Sequence, residues 1–87
     1  MSTSDTTEEL TNEQKRTTCD NYIGWVEKEL DNESLTIRDY ATLIISEYKK
    51  LTDNLITIQQ FEENTPQISE ETPLNYIRDR IVYFYPK

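Results

Sequence analysis

The stretch from Thr36 to Glu62, TIRDYATLIISEYKKLTDNLITIQQFE, decides the fold. Its apolar side chains recur at alternating spacings of four and three residues, at Ile37, Ala41, Ile44, Tyr48, Leu51, Leu55 and Ile58. This spacing places them on one face of an α-helix for about three heptads. Tyr40, Ile45 and Phe61 lie beside that face, which is therefore broader than a coiled-coil seam and typical of a globular bundle. The pattern predicts one long central helix.

The length of this helix raises the question of assembly. A continuous helix over residues 37–62 would be about 39 Å long, whereas a compact domain of this size has a diameter of about 31 Å. The helix must either break near Thr52, Asp53 and Asn54 or project and be covered by a second copy. Because the apolar register continues through the possible break, the second interpretation is favoured. We therefore predict a homo-oligomer, with a dimer favoured, whose interface contains Ile37, Ile44, Tyr48, Leu51, Leu55 and Ile58.

A first helix is predicted upstream of the long one. Thr11 and Gln14 have the spacing of a capping box. Helically spaced apolar residues follow at Cys19, Tyr22, Ile23, Val26 and Leu30. The polar run over residues 31–34 ends the helix. Residues 1–10 hold almost no apolar side chains and are predicted to be a disordered polar tail, which leaves 11–87 as a single helical domain.

A third helix is predicted near the C-terminus. Thr72 is a candidate N-cap, with Pro73 at the first helical position. Apolar residues then recur at Leu74, Ile77, Ile81 and Phe84, and Pro86 ends the pattern. Segments 55–61 and 80–85 are also rich in strand-favouring residues and could pair as a short two-stranded ribbon in an α+β fold. Since an isolated strand pair is marginally stable, we predict an all-α domain of three helices.

Composition excludes several classes of protein. The chain of 87 residues has 9 Lys and Arg against 17 Asp and Glu, a net charge of −8. Nucleic-acid binding in its usual mode needs a basic face, so we expect no direct binding to DNA or RNA. No apolar run approaches the roughly 18 residues of a membrane span, and the first ten residues lack the features of a secretion signal. We expect a cytoplasmic protein, in its own cell or in a host cell, without membrane association.

The residues available for catalysis are few. Histidine, the commonest general base, is absent. The single cysteine, Cys19, lies on the apolar face of the first helix and is predicted to be a small buried thiol. The acidic stretches lack the spacing and the central glycine of a calcium-binding EF-hand loop. We therefore expect no enzymatic activity, no catalytic residues, no metal site and no cofactor.

Negative charge is concentrated in two clusters. The first comprises Glu27, Glu29, Asp31 and Glu33, and the second comprises Glu62, Glu63, Glu70 and Glu71. Solubility alone can explain such charge. The sharper hypothesis is recognition of a basic surface by electrostatic complementarity. The first cluster lies where a helix C-terminus disfavours anions, and this local cost favours a functional role.

The C-terminal segment is rich in tyrosine. Tyr76, Tyr83 and Tyr85 lie beside the apolar stripe of the third helix. Tyrosine is enriched in protein interfaces, and core packing is the competing explanation. We predict a possible aromatic interface at these three residues.

These features together predict a small acidic binding or inhibitory protein that blocks a basic, nucleic-acid-binding surface of another protein. In size and composition the chain resembles the small proteins with which phages and mobile elements block host enzymes or defence systems. One alternative is a structural or assembly subunit whose acidity serves solubility. Another is an oligomer that sequesters a small ligand. An anionic ligand would then require convergence of Lys15, Arg16, Lys49, Lys50, Arg78 and Arg80.

Overall fold

The computed structural model describes residues 10–86, and all regular structure in that range is helical. The helices are α1 (Asn12–Lys28), α2 (Leu35–Thr52), α3 (Ile58–Asn64) and α4 (Pro73–Phe84), and one 3-10 turn follows α1 at Glu29–Asp31. The predicted all-α class is confirmed. The predicted number of three helices is wrong, because the long central segment forms two. The predicted tail, apart from Leu10, lies outside the described residues.

The two-stranded ribbon is also wrong, because its residues are mostly helical. α3 contains 58–61, and α4 contains 80–84. Each of the two helices begins at a helix-start signal. Thr57 caps α3, and Thr72 caps α4 with a hydroxyl that accepts the Leu74 N–H at 3.2 Å. Local capping therefore outweighs the strand propensity of these side chains.

The predicted start of α1 is confirmed by its hydrogen bonds. Thr11 Oγ1 accepts the backbone N–H of Gln14 at 3.1 Å, and Gln14 Oε1 accepts that of Thr11 at 2.9 Å, which completes a capping box. α2 begins two residues earlier than the Thr36 signal suggests. Ser34 is its N-cap, and its hydroxyl accepts the N–H of Ile37 at 3.3 Å.

The predicted long helix ends at Thr52, where the backbone forms a Schellman motif. The N–H of Asn54 donates to the Leu51 carbonyl at 3.0 Å, and the N–H of Leu55 donates to the Lys50 carbonyl at 2.8 Å. Asn54 has φ 62°, a left-handed conformation that asparagine tolerates better than most residues. The prediction of a continuous helix over 37–62 is therefore wrong, and α3 packs against both α2 and α4.

The core is built chiefly between α1, α2 and α4. The buried apolar side chains are Cys19, Val26, Ile37, Tyr40, Ala41, Ile44, Tyr48, Leu51, Phe61, Leu74, Ile77, Ile81 and Tyr85. α1 and α4 run antiparallel, because Cys19 contacts Ile81 whereas Arg16, earlier in α1, contacts Tyr85, later in the chain. The two helices therefore lie side by side along much of their length.

The predicted oligomer interface lies mostly inside the protomer. Ile37, Ile44, Tyr48 and Leu51 are buried among the chain's own helices, Ile58 is half-buried and Leu55 is exposed. Buried side chains have no surface left for a second copy. The homo-oligomer therefore stays a prediction, but most of the apolar face on which it was based packs within the protomer.

Candidate functional site

Most of the predicted acidic residues face solvent. In the first cluster Glu27, Asp31 and Glu33 are exposed, whereas Glu29 is half-buried and accepts a hydrogen bond from Asn32 Nδ2 at 3.0 Å. All members of the second cluster are exposed: Glu62, Glu63, Glu70 and Glu71. Seven of the eight carboxylates are therefore accessible to a partner.

One long-range contact joins parts of the two clusters. The hydroxyl of Ser34, at the start of α2, donates to the carboxylate of Glu70, with oxygen distances of 2.9 and 3.1 Å. Asp31 and Glu33 precede that serine in the chain, and Glu71 follows that glutamate. We call Asp31, Glu33, Glu70 and Glu71 the acidic end. The other members of the clusters are Glu27 on α1, Glu29 at the start of the 3-10 turn, and Glu62 and Glu63 in the last turn of α3.

The carboxylates of both clusters are free of ion pairs among residues 10–86. The ion pairs in this range join Glu47 to Lys50 and Asp79 to Arg78, at 3.0 and 2.7 Å. Unpaired acidic groups close together repel one another and project a negative potential into solvent. The acidic end is therefore an exposed surface of negative charge.

The loop that carries Glu70 and Glu71 is held by side chains of α4. Asn75 makes two hydrogen bonds with the backbone of Ile68: its Oδ1 accepts the N–H at 3.0 Å and its Nδ2 donates to the carbonyl at 2.9 Å. Arg78 holds the start of the same loop, because its Nε donates to the Thr65 carbonyl at 2.8 Å. The position of the acidic end thus depends on α4.

Arg78 also caps the C-terminus of α3. Its Nη2 donates to the Glu62 carbonyl at 2.7 Å, and its Nη1 pairs with Asp79. A guanidinium at this end of a helix satisfies carbonyls that have no partner within the helix. Beside it lies a groove of about 620 Å³, whose lining includes Glu62, Asp79 and Tyr83.

A second exposed surface is aromatic and lies across α1 and α4. We call its six residues the aromatic face: Tyr22, Trp25, Tyr76, Arg80, Tyr83 and Phe84. Trp25, Tyr76 and Tyr83 are 55%, 60% and 74% exposed, and the other three are half-buried. The antiparallel packing of the two helices brings them together.

The rings of the aromatic face contact one another: Tyr22 with Trp25 and Tyr83 with Phe84 are edge-to-face pairs, and Tyr22 with Phe84 is a stacked pair. The Tyr22 centroid lies 5.8 Å from that of Trp25 and 6.4 Å from that of Phe84, and Tyr83 lies 5.0 Å from Phe84. These separations fall in the range preferred by aromatic pairs. The face is thus a set of rings held by mutual contact.

Arg80 lies among these rings. Its guanidinium carbon is 4.7 Å from the centroid of Phe84, 5.6 Å from that of Tyr83 and 5.8 Å from that of Tyr76, which are cation–π distances. Its Nε donates to the Tyr22 hydroxyl at 3.4 Å, and this hydrogen bond raises the pKa of Arg80 above its ordinary value. Arg80 therefore stays charged on the aromatic face.

The aromatic prediction identified two of these six residues. Tyr76 and Tyr83 belong to the face, but Tyr85 is buried, with its ring 6.1 Å from that of Tyr48, so its assignment to an exposed interface is wrong. The backbone becomes extended at Tyr85, just after α4, and the ring turns into the core. The sequence analysis missed Tyr22, Trp25, Arg80 and Phe84. The spacing of Tyr22 and Trp25 by three residues was the available signal on α1.

The buried titratable groups do not support nucleophilic chemistry. Burial, reinforced by Asp20, raises the pKa of Cys19 to about 12, and the thiol donates to the Ile81 carbonyl at 3.7 Å. Burial and a hydrogen bond to Asp20 likewise raise the pKa of Tyr48. Both groups stay protonated at neutral pH. The residues that the structure describes contain no cluster of three metal-ligating side chains.

Among residues 10–86, Glu47 is the carboxylate that is buried. Burial raises its pKa, but hydrogen bonds from Lys50 and Asn64, at 3.0 and 3.1 Å, outweigh burial and leave the pKa below its ordinary value. These contacts tie the end of α3 to α2. Glu47 is therefore a structural anion.

Three of the six basic residues that an anionic ligand would require are engaged in separate places. Arg78 caps α3, Arg80 lies on the aromatic face, and Arg16 stacks on Tyr85 beside a groove of about 600 Å³.

None of the described helices is both long enough and apolar enough to cross a membrane. No protein-family model, curated protein or solved structure matches the chain, so its surfaces are judged by their own chemistry.

Proposed function

We propose that this chain is a binding protein that occludes a basic surface of another protein, in particular one that normally holds nucleic-acid phosphates. The observation that supports the proposal is the acidic end. It presents carboxylates that are exposed and free of ion pairs within the described residues. A partner that binds phosphates has the opposite charge on a surface built to accept anions.

Electrostatics would act first on the rate of encounter. A concentrated negative surface raises association rates with a basic partner by roughly 10–10³-fold at low ionic strength. The attraction extends over a Debye length of about 8 Å at physiological salt. Arg78 and Asn75 hold the loop of Glu70 and Glu71, so little conformational entropy is lost when a partner binds.

Occlusion would then follow from the bulk of the helical domain. A protein of 10.4 kDa bound over a phosphate-binding surface excludes the nucleic acid from that surface. No catalytic step is needed, which agrees with the protonated state of Cys19 and Tyr48. Inhibition would be stoichiometric and reversible.

The test is capture followed by competition. The biotinylated chain is incubated with a lysate of the cells in which it acts, and short duplex DNA is added to the captured complex. We expect the DNA to release the captured protein in proportion to its concentration, because both compete for one basic surface. A complex that survives saturating DNA, or the absence of any complex, contradicts the proposal.

A matched pair of variants locates the site in the same experiment. Glu33→Gln/Glu71→Gln removes two charges from the acidic end, and Glu13→Gln/Asp53→Asn removes two exposed charges elsewhere, so each changes the net charge from −8 to −6. We expect the first variant to capture less of the partner and the second to capture as much as the wild type. Equal capture by both would contradict the acidic end as the site.

A further inference from the structure

A small cavity lies between the first half of α2 and the loop that precedes α4. It has a volume of about 300 Å³, and its lining is mostly apolar. The residues that line it are Thr36, Asp39, Tyr40, Leu43, Pro66 and Ile68. This volume is at the lower limit for ligand pockets in proteins, so the cavity has the size for a single side chain rather than for a larger molecule.

The charge of this cavity distinguishes it from the two grooves described above. The lining of one groove includes Arg78 and that of the other includes Arg16, whereas the small cavity has no basic residue in its lining. Its one charged side chain is Asp39, which is exposed and makes no ion pair within residues 10–86. A carboxylate beside an apolar lining is complementary to a cation on an alkyl stem, which is the character of lysine and arginine side chains.

The cavity adjoins the acidic end, because the same two segments of the chain form both. Thr36 lies two residues after Ser34. Ile68 lies two residues before Glu70, whose carboxylate accepts the hydrogen bond of the Ser34 hydroxyl at 2.9 and 3.1 Å. A basic surface that approaches the acidic end therefore also comes close to the cavity.

Hydrogen bonds hold the loop side of the cavity in place. Asn75 bonds to both backbone groups of Ile68, at 3.0 and 2.9 Å. The carbonyl of Thr65, next to Pro66, accepts a hydrogen bond from the Tyr40 hydroxyl at 3.3 Å. Since these walls are already fixed in the free chain, little entropy is lost in ordering them when a side chain enters.

We propose that this cavity receives one lysine or arginine side chain of the basic partner. Its alkyl stem packs against Leu43, Pro66 and Ile68, and its cationic group pairs with Asp39. The inference rests on the proposed function for the source of the side chain, and it adds to the interface a carboxylate that belongs to neither acidic cluster. The acidic end accelerates the encounter, whereas the cavity fixes the position of one residue of the partner.

The experiment uses the purified chain alone, with n-butylguanidinium as the probe, and amide signals are followed by heteronuclear NMR as the probe is added. We expect saturable shifts at the amides of Asp39, Leu43 and Ile68. Two further probes separate the charge from the stem: n-butylurea has the stem without the charge, and methylguanidinium has the charge with little stem. Each should bind at least about threefold more weakly than n-butylguanidinium, because each lacks one of the two contacts.

Two variants of equal charge test the role of Asp39. Asp39→Asn and Asp53→Asn each remove one exposed carboxylate and change the net charge from −8 to −7. We expect the first to raise the Kd of n-butylguanidinium about two- to fivefold, the effect of losing an exposed ion pair, and the second to leave it unchanged.

Three results would overturn the proposal: no saturable shifts at the cavity, equal affinity for n-butylurea and n-butylguanidinium, or equal effects of the two variants. Because the probe needs no partner, each of these results leaves the proposed function to its own test by capture and competition.

Discussion

Replacing Arg78 with methionine is expected to lower the free energy of unfolding by about 2–4 kcal/mol. Methionine keeps much of the apolar stem but removes the two hydrogen bonds that cap α3, to the carbonyls of Thr65 and Glu62. A hydrogen bond from a charged donor contributes about 1.5–3 kcal/mol. In the variant, the exposed Glu62 carbonyl can bond to water instead, and the Thr65 carbonyl keeps its hydrogen bond from the Tyr40 hydroxyl at 3.3 Å. The loss of stability should therefore be smaller than the sum of two full hydrogen bonds.

The size of this loss makes it easy to measure. The exposed ion pair with Asp79 adds little to it. A domain of this length has a total stability of about 4–13 kcal/mol, so the variant should lose a large part of it. Urea unfolding followed by circular dichroism gives the change, and Arg38→Met, at an exposed arginine on α2, is the control. A difference between the two variants below about 0.5 kcal/mol would refute the capping role of Arg78.

Three further predictions concern single residues. The pKa of Glu47 is lowered in the folded state, so the ionised side chain stabilises the fold at neutral pH, and this contribution is lost as the pH falls through the folded-state pKa. Glu47→Gln should therefore flatten the acid side of a stability–pH profile measured by urea unfolding. Asn54→Val should cost about 1–2 kcal/mol in the same assay because φ is positive there, and Asn54→Gly should cost nothing. Cys19 should resist a thiol reagent at pH 8 in the native state and react on unfolding; rapid native labelling would contradict its burial and its raised pKa.

The helix starts could be predicted from sequence because capping is local chemistry. Thr11 with Gln14, and Thr72 with Pro73, act within a few residues of themselves, and both signals mark real helices. The end of α2 near Thr52 was the less favoured alternative, because the apolar register continues through Leu55 to Ile58; Leu55, however, is exposed. Asn54 and the capping box from Thr57 to Gln60 were the signals for the break, and local backbone chemistry prevailed over periodicity there.

The candidate surfaces were less predictable because they depend on tertiary contacts. The acidic end exists through a contact between Ser34 and Glu70, which are 36 residues apart. The aromatic face exists because α1 packs antiparallel to α4, and no pattern within either helix specifies that pairing. Tyr83 and Tyr85 are two residues apart in the sequence, but the first is exposed and the second is buried, because α4 ends between them.

The salt dependence of partner association tests the central claim most directly. The association rate of the captured protein is measured by stopped-flow fluorescence at rising salt for the wild type, for Glu33→Gln/Glu71→Gln, and for the matched control Glu13→Gln/Asp53→Asn. If the acidic end steers the encounter, the wild-type rate falls steeply with salt, the first variant is slower with a shallower dependence, and the control follows the wild type. Identical rates and salt dependence for all three proteins would contradict a role of the acidic end in recognition.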